Sequence, residues 1–265
     1  MSDPDPGPRF HGRSPRILMY HSVSQVAHDP NHVCVRPWRF ARQMEHLRRR
    51  RLRGVSVREL LAAAAVGEDR HLVGLTFDDG FDDYVHHALP VLQRFGFTAT
   101  LYPVVDLVGR SNRWDQAERG PVIRLADGAQ LRALRDGGTE IGSHTLTHVA
   151  LSRVDDQQLE REVVTSRQRL EEILGQEVRG FCYPYGDHDE RVVEVVRRAG
   201  YDYACAYQTH GRWDRFTLPR THVGEPDGRF RLEAKLRIDD PLQRWRHRGR
   251  GRGTVDVRSD VGNAS

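Results

Sequence analysis

The segment GLTFDDGFDDY, residues 74–84, places four aspartates within six residues directly after an apolar run. Asp78 and Asp79 are adjacent, and neighbouring carboxylates resist joint ionisation unless a positive charge lies close to them. Later in the chain, HTLTH places His144 and His148 four residues apart. Two imidazoles and one carboxylate form a three-ligand set that leaves coordination positions open on a metal. A divalent metal would supply the missing charge, with one aspartate as ligand and the other free to accept a proton.

The spacing of the two histidines is not sufficient by itself, because this chain contains 14 histidines. His28 and His32 in HDPNH have the same spacing, yet they enclose Pro30 and fall in a predicted polar loop. We therefore do not interpret HDPNH as a metal site. His144 and His148 follow a predicted strand, as the aspartate pair does, and this shared placement favours them as ligands.

Alternating strands and helices are predicted along most of the chain. Apolar runs predict strands, and apolar residues at helical spacing predict helices. About seven strands alternating with helices indicate an α/β fold with a parallel sheet, most economically a closed or partly closed barrel. The predicted strands cover residues 16–20, 72–77, 98–105, 139–144, 180–184, 203–207 and 216–220, and the predicted helices cover 39–50, 85–95, 128–136, 156–174 and 192–199.

The composition excludes several classes of protein. A chain of 265 residues that is 38% hydrophobic can bury one substantial core. Three scattered cysteines, with no CxxC pair, argue against a disulfide framework and favour a reducing compartment. No stretch is apolar enough for a secretory signal or a membrane helix, so we expect a cytoplasmic protein without a transmembrane segment. The alternative is export by a segment that this sequence lacks.

The domain organisation follows from where these patterns begin and end. We predict a disordered N-terminal arm over residues 1–15, a catalytic domain over 16–242 and a basic disordered tail over 243–265. The formal net charge is +4, and basic clusters lie at 48–53 and 244–253. The Gly- and Arg-rich tail is interpreted as solvated chain, with contact to nucleic acid or anionic lipid as the alternative.

Three motifs carry a resemblance to a known family. TFDDG, SHTLTH and YPYG, in this order and at these separations, resemble the first three motifs of the polysaccharide deacetylases, the NodB-homology carbohydrate esterases. The similarity runs over residues 16–220, and LMYHSV resembles the Tyr-His of the poly-N-acetylglucosamine deacetylase branch. The resemblance implies a distorted (β/α) barrel and metal-dependent hydrolysis of N-acetyl groups on an N-acetylated carbohydrate. It implies Zn²⁺, or alternatively Co²⁺ or Ni²⁺, and no nucleic-acid partner.

The resemblance also assigns roles to individual residues. Asp78 corresponds to the general base, and Asp79 to the metal ligand beside His144 and His148. The backbone N–H of Tyr185 corresponds to a donor that stabilises the oxyanion. These parts match what amide hydrolysis requires, namely an activated nucleophile, a base and a stabilised oxyanion.

Two departures from the family pattern leave roles open. Many members have an arginine two residues before the motif proline, where this chain has Cys182, which we expect to be a small buried residue. Arg220 is our candidate for the cation that pairs with Asp78, with an ordinary surface arginine as the alternative. The late histidine motif of the general acid is also unclear. His21 is favoured over His222, because it ends the first predicted strand.

Other functions on the same scaffold remain as alternatives. Related hydrolases open cyclic amides or imides, and an inactive relative would act as a carbohydrate-binding protein. The complete Asp-Asp-His-His set argues against an inactive site. Trp114 and Trp213 are candidates for stacking on a sugar ring, although simple packing is the favoured account of each.

Overall fold

The computed structural model describes residues 14–112, 114, 121–207 and 213–237. All but the last two residues of the predicted N-terminal arm, and the whole basic tail, lie outside the described residues. The strands are β1 (Ile17–Tyr20), β2 (Arg53–Val55), β3 (Leu72–Phe77), β4 (Thr100–Leu101), β5 (Glu140–Ile141), β6 (Gly180–Cys182), β7 (Tyr203–Cys205) and β8 (Thr221–His222). The helices are α1 (Pro37–Arg49), α2 (Val57–Ala65), α3 (Leu89–Phe95), α4 (Gly128–Asp136), α5 (Asp156–Glu160), α6 (Ser166–Leu174), α7 (Glu190–Arg198) and α8 (Arg229–Leu236).

These strands form a distorted barrel in which neighbours run parallel. β3 pairs with β1 along one edge, and with β2 and then β4 along the other. β4 continues to β5, and β1 pairs with β8. β6 and β7 form a separate pair. Single parallel bridges from Ser143 to Phe181 and from Cys205 to Leu218 connect that pair to its neighbours and close the ring. The predicted α/β barrel is confirmed.

Helix faces and barrel strands bury the same residues that the apolar pattern predicts. Phe40, Met44 and Leu47 of α1 are fully buried against the barrel. The predicted helix over 156–174 is present as α5 and α6, joined by a wider helical turn at Arg161–Thr165. Pro90 lies in the first turn of α3, directly after a wider helical turn at Tyr84–Ala88.

The structure corrects several boundaries. The predicted strand over 98–105 is reduced to Thr100–Leu101, because Pro103 has no N–H to donate to a sheet. The predicted strand over 216–220 makes only a single bridge at Leu218, and regular pairing begins after Pro219. The sequence patterns did not identify β2, α2 or α8.

The carboxyl ends of the strands gather the residues singled out by the sequence. His21 follows β1, the aspartate pair follows β3, His144 follows β5, and Tyr185 follows β6. Parallel strands that close a barrel open their carboxyl ends onto one face, where a site can be built from several loops. Within the described part of the chain, we find no helix with the length and apolar character to cross a bilayer.

A substitution at Gly142 tests how tightly the residues are packed where the barrel closes. A Cβ atom added at Gly142 would lie 2.5 Å from Cε1 of Tyr102 and 2.8 Å from the carbonyl oxygen of Gly180. Gly142→Ala is therefore expected to lower the free energy of unfolding by roughly 1–3 kcal/mol, as overpacked positions do. Urea unfolding measures the change. Gly128→Ala is the matched control, because its added Cβ would lie 3.4 Å from the nearest atom. Equal destabilisation by the two variants would contradict the close packing at Gly142.

Candidate metal centre

A pocket of about 560 Å³ opens at the carboxyl ends of the strands. Its volume falls within the range of small-ligand sites. The pocket brings together all seven of the residues predicted from the sequence to bind metal or take part in catalysis. They are His21, Asp78, Asp79, His144, His148, Tyr185 and Arg220, and the candidate His222 lines the pocket as well.

Asp78 is held by Arg220 in a buried two-pronged ion pair. Nη1 of Arg220 lies 2.6 Å from Oδ1 of Asp78, and Nη2 lies 2.8 Å from Oδ2. Both side chains are almost fully buried. Two parallel hydrogen bonds between a guanidinium and a carboxylate are among the strongest polar contacts in proteins. The alternative that Arg220 is an ordinary surface residue is therefore wrong.

The ion pair fixes the charge of Asp78. Burial by itself would raise the pKa of this carboxyl, but the adjacent guanidinium outweighs burial and holds the pKa well below its ordinary value. Cys182 lies on the other side of the same guanidinium, with its Sγ 3.0 Å from Nη2 of Arg220. Burial raises the pKa of the Cys182 thiol well above its ordinary value. Cys182 is thus a buried neutral thiol that leaves room for the arginine.

Asp79, His144 and His148 form a compact cluster beside that pair. Oδ1 of Asp79 lies 3.6 Å from Nε2 of His144 and 3.3 Å from Nε2 of His148. All three side chains are buried, and one ligand atom from each lies within 4.8 Å of the others. Among the described residues, this buried oxygen has no hydrogen bond of acceptable geometry. A buried carboxylate oxygen that faces two imidazole nitrogens is the donor set that a divalent metal requires.

The orientation of His144 supports the same interpretation. Its Nδ1 donates to the backbone carbonyl of Cys182 at 2.8 Å, which leaves the lone pair on Nε2 facing Asp79. Burial lowers the pKa of His144 to about 4, so the ring is neutral at neutral pH. Metal ligands must be unprotonated. The residues present therefore fit the metal that the sequence resemblance implies.

The loop that carries His144 and His148 is held by a residue that the sequence patterns missed. Glu162 is buried and accepts hydrogen bonds from the backbone N–H groups of Leu146 and Thr147, at 2.9 and 3.0 Å. Its second oxygen accepts from the Thr147 hydroxyl at 2.5 Å. Glu162 lies on the wider turn between α5 and α6. The sequence marks it only as an acidic residue within an amphipathic helix.

The backbone is strained at the same place. Asp79, Thr145, His148 and Tyr185 all have positive φ angles, between 59° and 69°. Such conformations are unfavourable for residues other than glycine and persist where the surrounding contacts enforce them. One of those contacts is a hydrogen bond from the backbone N–H of His148 to the hydroxyl of Thr145, at 3.0 Å. The strain is concentrated on the residues that would bind the metal and the substrate.

Aromatic side chains surround His148. The Trp114 ring stacks on the imidazole, with centroids 4.6 Å apart. The Tyr185 hydroxyl lies 3.2 Å from Nδ1 of His148, and the Tyr185 ring is 63% exposed. Trp114 thus packs on a candidate ligand, whereas Trp213 packs elsewhere against the core. Tyr185 presents an open ring surface to the pocket.

The two candidate proton donors occupy different positions. Nε2 of His21 lies 4.0 Å from Oδ2 of Asp78, so His21 sits beside the predicted base rather than across the pocket from it. The His21 and His222 rings are 6.0 Å apart. Burial, reinforced by the charge of His21, lowers the pKa of His222 to about 4.

Comparisons with known proteins point to one family. The family model for polysaccharide deacetylase matches residues 65–204, more than half of the chain. YxkH of Bacillus subtilis (strain 168), provisionally named a polysaccharide deacetylase, is 26% identical over 70% of this chain. A peptidoglycan-N-acetylglucosamine deacetylase of Bacillus cereus is 25% identical over 51% of it. The chain spans 61% and 56% of the lengths of these two relatives.

Solved structures share the fold. The Streptococcus pyogenes deacetylase PplD, in complex with acetate, matches with a TM-score of 0.70 at 21% identity, over 84% of this chain and 98% of that one. IcaB from Ammonifex degensii matches with a TM-score of 0.66 at 23% identity, over 85% of this chain and 97% of that one. At these identities the matches support the fold alone. That fold is the distorted barrel seen in the pairing of the strands.

Removing the two imidazoles tests the metal centre. We expect the parent protein to retain about one divalent ion per chain after dialysis, and His144→Ala/His148→Ala to retain almost none. Elemental analysis measures the content. His28→Ala/His32→Ala is the control, since this pair has the same spacing and His32 shares the positive φ of His148. Full metal retention by the His144/His148 variant would rule out this site.

Proposed function

The chain belongs to the polysaccharide deacetylase family, and from that premise we propose that it hydrolyses N-acetyl groups on N-acetylhexosamine units of a poly- or oligosaccharide. One observation carries the proposal. A carboxylate kept ionised by a buried arginine lies next to a second carboxylate that faces two imidazoles, and both line one pocket. Amide hydrolysis needs a base and an activating centre in this proximity.

Asp79, His144 and His148 would hold the divalent metal, with Zn²⁺ as the first candidate and Co²⁺ or Ni²⁺ as alternatives. When bound, such an ion polarises the acetyl carbonyl and lowers the pKa of water. The protein keeps these ligands in place through the carbonyl of Cys182, which accepts from His144, and through Glu162, which anchors their loop. Such supporting contacts typically change metal affinity by about 10–100-fold when they are removed.

Asp78 is the proposed general base. It is ionised at neutral pH because Arg220 holds its pKa well below the ordinary value. The same ion pair lowers its affinity for a proton, so a proton taken from water would remain on Asp78 only transiently. Arg220 is thus proposed as a positioning residue. It fixes both oxygens of the carboxylate and leaves Asp78 no freedom to rotate away from the nucleophile.

The backbone N–H of Tyr185 is the proposed donor to the oxyanion that forms on the acetyl oxygen. Tyr185 lies in the short turn Pro184–Gly186 that follows β6, and its φ of 59° departs from the ordinary helical value. A backbone donor held in a fixed turn stabilises a developing charge without reorganising during the reaction. The exposed ring of the same residue offers a surface for the sugar.

Removing the base tests the proposed reaction. Oligomers of N-acetylglucosamine are incubated with the parent protein, and mass spectrometry follows the loss of acetyl groups. We expect Asp78→Asn to retain its metal and to deacetylate about 10²–10⁴-fold more slowly, because an amide cannot accept the proton. An active Asp78→Asn protein would move the base elsewhere. No acetyl loss from any N-acetylated oligosaccharide with the fully metallated parent would overturn the proposed function.

The pH dependence distinguishes the two candidate acids. The acid must carry a proton, so the rate falls as the pH rises above its pKa. His222, with a pKa of about 4, has already lost its proton at neutral pH. His21 is therefore the proposed acid. We expect His21→Ala to lose the alkaline limb of the pH–rate profile, and His222→Ala to keep it. Metal content is measured first in both variants, and the reverse pattern would assign the acid to His222.

A further inference from the structure

Within the part of the chain that the structure describes, positive charge is concentrated on one face. We call the surface formed by residues 36–50 and 225–237, which contain α1 and α8, the α1–α8 face. These two segments contain ten basic and four acidic residues, a net charge of +6. The whole chain has a net charge of +4, so the rest of it, including the basic tail, sums to −2. Surfaces that bind a partner of opposite charge have a charge asymmetry of this kind.

The basic side chains on this face point into solvent. Apart from Glu45, Pro226 and Ala234, every exposed position in the two segments is an arginine or an aromatic residue. Eight arginines are exposed, at positions 36, 42, 48, 49, 50, 229, 231 and 237. α1 and α8 pack side by side, since His46 of α1 lies 2.9 Å from Glu233 of α8. The arginines near this contact therefore share one surface, whereas the guanidinium of Arg48 lies over the Phe95 ring of α3.

The acidic residues of the face do not neutralise it. Glu233 is shared by His46, Arg50 and Arg237, at 2.9, 3.2 and 2.9 Å. Glu225 is likewise shared by Arg36 and Arg39, at 2.7 and 3.7 Å. Four further arginines have no acidic partner within 4.0 Å in the described part of the chain. They are Arg42, Arg48, Arg229 and Arg231.

Two exposed aromatic rings lie among these arginines. The guanidinium groups of Arg36, Arg39 and Arg42 all lie over the Trp38 ring, 4.4–5.4 Å from its centre. Phe230 at the start of α8 is 83% exposed, and Arg229 lies 5.6 Å from its ring centre. A lone apolar ring flanked by arginines is costly in water and favourable at a lipid headgroup boundary, where it enters the apolar layer.

We propose that the α1–α8 face docks on the surface of a bilayer that contains anionic phospholipid. Unpaired arginines on adjacent helices would meet the headgroup phosphates, and Phe230 would enter the boundary of the acyl chains. A bilayer fits these observations better than single-stranded nucleic acid, whose bases stack on open aromatic rings. The Trp38 ring is already covered by guanidinium groups. Phe230 is then a single open ring on this face, whereas successive bases stack on several.

Docking in this way would bring the pocket close to the bilayer. The ion pair between Arg36 and Glu225 joins the two segments that line one side of the pocket, around His32 and His222. The α1–α8 face therefore begins at the rim of the pocket. Substrates anchored at a membrane surface would be presented to the site. The inference does not depend on the proposed reaction, because membrane binding is measured without turnover.

Vesicle sedimentation of the full chain tests this inference. We expect the protein to sediment with vesicles of equal parts phosphatidylglycerol and phosphatidylcholine, and to stay in solution with phosphatidylcholine alone. The test variant is Arg42→Gln/Arg229→Gln/Arg231→Gln, which removes three exposed arginines that have no acidic partner. Because each basic residue near an anionic leaflet strengthens binding about fivefold, we expect binding to weaken on the order of a hundredfold.

A matched control separates this face from general basicity. Arg58→Gln/Arg110→Gln/Arg161→Gln removes three exposed arginines elsewhere on the protein and is expected to change binding little. The basic tail is present in every variant and cannot cause a difference between them. Thermal unfolding confirms that each variant is folded. Equal losses in the two triple variants, undiminished binding by the test variant, or a preference for a single-stranded oligonucleotide over the vesicles would each overturn the inference.

Discussion

Two adjacent buried aspartates require a separate counter-charge for each, and this requirement organises the pocket. Arg220 supplies the counter-charge of Asp78, and every nitrogen of its guanidinium group donates a hydrogen bond. Beyond the two contacts to Asp78, it donates to the Ala206 carbonyl, the Thr76 hydroxyl and the Cys182 sulfur. These partners belong to β3, to the end of β6 and to the segment after β7, so one buried cation ties the ends of the strands together. Oδ1 of Asp79 faces two imidazoles, and a metal held there would balance its charge.

Many family members have an arginine where this chain has Cys182. The difference shows that the buried carboxylate requires a positive charge at this point in the fold, whichever residue supplies it. The resemblance to the polysaccharide deacetylases implies an arginine at position 182. Here the small thiol lies 3.0 Å from Nη2 of Arg220, and the space beside it is occupied by that guanidinium, which comes from a distant part of the chain. A buried carboxylate without its partner would be strongly destabilising, so the loss of one arginine requires the presence of another.

The sequence predicted that the candidate ligands lie together, because the loops that carry them follow apolar strands. It predicted their supports poorly. The sequence around Glu162 does not reveal its role, since that role depends on backbone groups of a loop that packs against its helix. Segment 53–65, with its run of alanines, lacks a decisive period, so β2 and α2 were missed. The position of His21 beside Asp78 depends on the pairing of β1 with β3, and spacing along the chain contains no information about this.

The low proton affinity of Asp78 constrains how the proposed reaction can proceed. A base works best when its pKa lies near the working pH, and Arg220 holds Asp78 far below that value. Asp78 therefore cannot generate a nucleophile by basicity alone. The pKa of the attacking water must fall instead, and this is the contribution that a divalent ion makes. In the proposed reaction, Arg220 gives Asp78 a fixed charge and orientation, and a metal held by the cluster around Asp79 would make so weak a base sufficient.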